Sequence, residues 1–295
     1  MRSQVVSTGS MRSLRAIITV LIRVSADCAA VCRATIAVDQ HSPDEVVLGI
    51  AMNDQQDAVE RLTKQLDRAA QLWEGAKADP ELEAARQRLR AWQAVRLART
   101  HADLLASPSM GPAATFFLTD LYGSKDLTRL DADVRRVVPT IKRVLPAAGL
   151  ETVADAIELE ALSEELDVAM AAALGPKLTA AAYARAYRKV DRRKDRERQI
   201  DLIEDLGHSL DRLVHQPLIG TALSMMRRPA RLAGLGELHD FLQRGYDAFR
   251  TMGGAGEFLN LIVGRERKLL EALFTGDDSL LSEGSAPRAD SQVQG

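Results

Sequence analysis

The chain has 295 residues, 39 of them basic and 41 acidic, for a formal net charge of −2, with 46% hydrophobic and 27% charged positions. That length can bury a sizeable core. The charge balance excludes a global field that would draw nucleic acid or an anionic membrane, and two cysteines exclude a disulfide framework, which points to a reducing, cytoplasmic setting. Alanine, leucine, glutamate and arginine dominate, side chains that lose little freedom on entering a helix.

Residues 1–51 differ from the rest: they hold arginine but no lysine, many β-branched residues and no helical stripe. Arg12 and Arg15 precede the apolar run Ala16–Ile22, the layout of an export signal, but Arg23 ends that run at the lower limit for a signal core. The run is also far too short to span a bilayer. Cys28 and Cys32 have nothing nearby to complete a zinc site. Residues 1–51 are therefore expected to be a poorly structured extension, with Met52 as the true start.

From Asn53 the pattern is helical. Val59, Leu62, Leu66, Ala69 and Trp73 recur at helical spacing on one face. Next, Asp79 is a predicted N-cap, with Pro80 at the first helical position and Glu81 and Glu83 suiting the dipole. This second helix is predicted to run unbroken to Pro108, with the stripe Leu82, Ala85, Leu89, Trp92, Val95, Ala98, Ala102 and Leu105. The stretch TFFLTDLYGSKDL follows, holding three of the twelve aromatic residues. It reads as a short helix from about Pro112 to Tyr122 capped by Gly123, with Phe117, Leu118 and Leu121 facing inward and Phe116 and Tyr122 at the edges.

A helix kinked at Pro139 and ended by Pro146 comes next, then the apolar stretch from Gly149 to Gly175, predicted to be the central helix. Thr179 caps the helix after it. The run to Pro217, a short helix ending before Arg227, and helices from Glu237 and Gly256 complete the pattern. The polar composition after Gly276 predicts a disordered tail over residues 276–295. The expectation is an all-α fold: one bundle-like domain of about ten helices over residues 53–275, with no sheet.

Phe116, Phe117, Leu118, Leu121 and Tyr122, together with the stretch Arg231–Gly254, resemble a family of uncharacterised bacterial proteins named for a Phe-Phe-Leu-Glu-Glu-Leu-Tyr motif (FFLEELY). Thr119 and Asp120 stand where the name has two glutamates. The resemblance runs from about Arg88 to Phe274 and implies no activity, substrate or catalytic residue.

Two groups could carry chemistry. Glu204, His208, Asp211 and His215 project along one flank of a helix, an arrangement with which helical bundles bind metal ions. Beside the glycine stop, Phe116, Tyr122, Lys125 and Asp126 could line a ligand pocket between helices. Each has a plainer reading, the quartet as a polar helix boundary and the aromatic stretch as core packing. The arginine-rich run Arg185–Gln199, flanked by Tyr183 and Tyr187, reads as a solvated helix face with i,i+4 ion pairs rather than a nucleic-acid surface. No nucleophile elbow, zinc-protease motif or phosphate loop occurs. No cofactor is predicted beyond a metal ion at the quartet. The balance favours a protein-interaction or regulatory module, its partner another protein or a second copy, over a small-ligand- or metal-binding protein or enzyme.

Overall fold

The computed structural model describes residues 44–76, 79–121, 147–175, 177–216 and 218–282, and among these residues there are eleven α-helices and no strand. The fold is all-α. Helix α1 spans Asp44–Ala76, α2 Pro80–Thr100, α3 Ala102–Ala106 and α4 Gly111–Phe116, which continues into a π-helical turn at Phe117–Leu121. Helix α5 spans Ala147–Ala173, α6 Ala180–Val190, α7 Arg193–Val214 and α8 Ile219–Leu232. Helix α9 covers Gly236–Met252, α10 Gly256–Thr275 and α11 Ser279–Ser282.

Helix α5 is the axis, as its several apolar faces predict. Leu150, Ala154, Ile157 and Ala161 meet Ala58, Leu62 and Ala69 of α1. Leu162 and Leu166 meet Leu202 of α7. Met170 and Ala171 join Leu89 of α2, Tyr183 and Tyr187 of α6, and Leu269 and Leu273 of α10. A separate cluster, rich in aromatic rings, unites α4, α9 and α10 around Phe116, Phe249 and Phe258. The caps follow the sequence: Asp79 accepts from the N–H groups of Glu81 and Leu82, and Thr179 from that of Ala182. Gly253 closes α9 in the left-handed conformation, φ 75°.

Five expectations change. Helix α1 begins at Asp44, ahead of Met52. The long second helix breaks at His101, which leaves helical geometry at ψ 27°. There Arg265 of α10 donates to the exposed carbonyl of Thr100 at 3.0 Å and grips both oxygens of Asp103 at 2.7 and 2.6 Å. The predicted stripe also drifts: Val95 is 54% exposed, while Leu97, His101 and Leu104 are buried. The cause is a change of neighbour, from α5 and α6 near Leu89 to α10 near Arg96. Helix α8 passes through Pro229, since a proline removes one backbone bond and the next turn is closed by Ala233 N–H to Pro229 O and Leu235 N–H to Ala230 O. Finally, α11 forms beyond Gly276, with Leu281 buried in the cluster of Leu89, Tyr183 and Leu273 and Asp278 held by Arg188 at 2.8 Å. The expected proline-kinked helix before Pro146 lies outside the described residues.

Candidate functional site

Tyr122, Lys125 and Asp126 lie outside the described residues. Phe116, expected at a helix edge as a ligand contact, is instead buried. Its ring packs 5.3 Å from that of Phe241 and 6.2 Å from that of Phe117, which in turn touches Phe249 and Phe258. Phe117 is the more exposed of the pair, because the π turn rotates the residues after Phe116 away from the register of a continuous α-helix.

The quartet on α7 is employed elsewhere. Glu204 accepts from Arg267 at 3.0 Å, and Asp211 accepts from the backbone N–H of Ala255 at 3.1 Å, tying α7 to the start of α10. The exposed His215 ring lies 2.7 Å from its own helix carbonyl at Asp211, and His208 is half-buried. Among the described residues no three His, Cys, Asp or Glu side chains are grouped to hold a metal ion.

The arginine run is only in part a solvated face: Arg193 and Glu197 make the expected i,i+4 pair, but most of its arginines reach other helices. Arg192 reaches Glu165 and Asp195, Arg198 reaches Glu158, Arg193 reaches Glu197 and Glu271, and Arg188 reaches Asp278. Arg196 is buried over the Tyr187 ring, 4.2 Å from its centre. Tyr183 and Tyr187 are core residues, so these rings are not presented for stacking on bases.

One polar cluster escaped the sequence reading. Glu266 of α10, its side chain 17% exposed, accepts from Arg96 at 2.5 Å and lies 3.3 Å from Nε2 of the buried His101. Burial raises a carboxyl's pKa, but here Arg96 and His101 overcome it and hold Glu266 down at about 2. The sequence does carry a trace of it, since Glu266 occupies an inward position of α10 in step with Leu259, Val263, Leu270 and Leu273. The pairing of Glu266 with Arg96 and His101 pins α10 to the break between α2 and α3.

The surface offers a different kind of site. Leu218, Met225 and Leu232 recur every seven residues along one flank of α8 and are 46%, 69% and 82% exposed. Seven residues bring a helix back to nearly the same direction, so the three form a single apolar line. The helix's other side is anchored by Ile219, Ala222, Met226 and Ala230. Arg228 stands exposed on the line between Met225 and Leu232. Arg227 and Arg231 are exposed on the same helix, which carries no acidic residue. The spacing is plain in the sequence, but a helix that ends before Arg227 leaves Leu232 off the line.

No helix among the described residues is long and apolar enough to cross a membrane. No curated protein and no solved structure matches the chain. A family model does match, over residues 72–280 and hence over most of the helical part, and the chain belongs to that family, a domain of unknown function designated DUF8198.

Proposed function

We propose that the protein is an interaction module that holds an acidic, amphipathic helix of a partner protein against the flank of α8. The observation that carries this reading is the line Leu218, Met225 and Leu232, three large apolar side chains in solvent at the spacing of a coiled-coil seam. A helix laid along it would bury that seam by the helix-in-groove mode of recognition. The charge selects the partner's chemistry: α8 has three arginines and no acid, in a chain whose overall charge is slightly negative. In this reading the chain works in the cytoplasm, and the FFLEELY-like stretch around Phe116 serves the scaffold.

The test is binding of a synthetic helical peptide of about three heptads, with leucine at the seam and glutamate beside it, followed by fluorescence anisotropy. Binding should weaken at least tenfold in Met225→Asp and in Leu232→Asp while the melting temperature holds, because both side chains already stand in solvent. A lysine version of the peptide should bind more weakly. Equal binding of the two peptides, or binding of anionic vesicles instead, would show that the flank serves something else.

A further inference from the structure

Helix α1 stands apart from the rest of the molecule. The family match begins at residue 72, so nearly all of Asp44–Ala76 precedes it. Among the described residues its ion pairs to other helices all end on α5: Arg61 with Glu151, Asp155 and Glu158, and Arg68 with Glu165. Those pairings ascend together in residue number, so α1 and α5 run parallel. Two residues, Lys77 and Ala78, separate α1 from Asp79, the N-cap of α2.

The seat is built like a two-stranded coiled coil of small side chains. On α5 it is Leu150, Ala154, Ile157 and Ala161, spaced 4-3-4. On α1 it is Ala58, Leu62 and Ala69, with Gln65 completing the same spacing. Gln65 places its Oε1 in this contact, buried and without a hydrogen-bond partner, which weakens the seat.

Two acids of α5 do not depend on α1. Glu158 is also held by Arg198 of α7 at 2.8 Å, and Glu165 by Arg192 at 2.9 Å. Departure of α1 would leave both paired, would release Glu151 and Asp155 from Arg61, and would uncover the apolar row. That row fits a helix with α1's own pattern: small residues at the seam, and arginines set to meet acids on the far bank.

We infer that α1 is an exchangeable arm, and that the groove on α5 is an interface for the α1 helix of a second copy of this chain. Reciprocal exchange reproduces every native contact between the molecules, so it costs little beyond opening the connection at 77–78. A short connection favours such exchange over closure within one chain.

Complementary charge reversal tests it on the full chain. One variant carries Arg61→Glu. The other carries Glu151→Arg and Asp155→Arg, which leave Glu158 and Glu165 bonded to Arg198 and Arg192 of α7. In each variant alone, residue 61 faces like charge at positions 151 and 155 of its own α5, whereas after mixing it finds its complement at those positions on the other chain. Native mass spectrometry should then show most of the protein as a one-to-one heterodimer, absent from either variant alone. Far-UV circular dichroism checks that both variants are folded. A mixture that stays monomeric overturns the inference and leaves α1 either fixed to its own chain or yielding only to another protein. The unaltered chain gives a second reading by hydrogen exchange: amides of residues 54–72 should exchange as a group at least tenfold faster than those of residues 258–270. Equal protection of the two segments would also overturn it.

Discussion

Phe116 lays the end of its ring on the backbone of α9 at Gly245, so closely that a Cβ there would stand 3.0 Å from Cζ. The absent side chain lets the FFL stretch settle on α9, and the Phe116 ring fills what would otherwise be a hole beside Phe241. Truncation of the ring should therefore be costly. Phe116→Ala is expected to destabilise by about 3–5 kcal/mol in urea unfolding. Gly245→Val should also destabilise, and the two changes together should cost less than their sum, because the truncated ring makes room for valine. Strict additivity would show that the two residues do not share a contact.

Gly207 of α7 makes a tighter approach, to Leu259 of α10: a Cβ would lie 2.3 and 2.9 Å from the two Leu259 methyl carbons. Alanine favours a helix over glycine by about 1 kcal/mol, while crowding a packed core costs about 1–3 kcal/mol. With Leu259 fully buried there is little room to turn away. Gly207→Ala should thus lower the thermal midpoint despite its better propensity, and a raised midpoint would mean that Leu259 swings clear.

The helices and their inward faces could be read from residue spacing, because an apolar stripe at period 3.6 has one physical use. The caps at Asp79 and Thr179 were legible for the same local reason. The break at His101 was not, because the residues that cause it, Arg265 and Glu266, are distant in sequence. The buried charges were also misjudged. Arg86, Glu164, Arg196 and Glu266 all occupy inward positions, and periodicity alone does not say which charge will find a partner there. Of the candidate site residues, Phe116 and Asp211 turned out to join helices, roles that depend on Gly245 and Ala255 on other segments. The exposed line on α8 was hidden by a local rule, that proline ends helices, which the structure overrides at Pro229.

Arg86 and Glu164 form a nearly fully buried ion pair between α2 and α5, with Arg90 on the other carboxylate oxygen. Taking one partner away strands the other in a medium of low dielectric. Glu164→Gln is expected to cost about 3–5 kcal/mol, while the paired change Arg86→Met with Glu164→Leu should recover most of that loss. The unpartnered Nε of Arg86 adds to this expectation, because burial of the native pair is not fully compensated. Chemical denaturation of the three variants decides it. A double variant no better than Glu164→Gln would mean that the charges specify the α2–α5 contact and do not merely tolerate it.

The clamp at the α2 break makes a pH-dependent contribution whose sign follows from Glu266. Its carboxyl titrates at about 2 when folded, against an ordinary 4.5, because Arg96 and His101 outweigh the effect of burial. The folded chain thus resists protonation there more than the unfolded chain does. The resulting stability is fully present above 4.5 and is lost as pH falls toward about 2. A difference of that size corresponds to about 3 kcal/mol. Glu266→Gln removes the titrating group, so the variant should be less stable than the parent at pH 7 by about that amount. The gap should narrow steadily as pH falls below 4.5. Urea unfolding at pH 7, 4 and 2.5 measures it, and parallel losses in parent and variant across that window would show that the contact between α10 and the α2 break does not rest on this carboxylate.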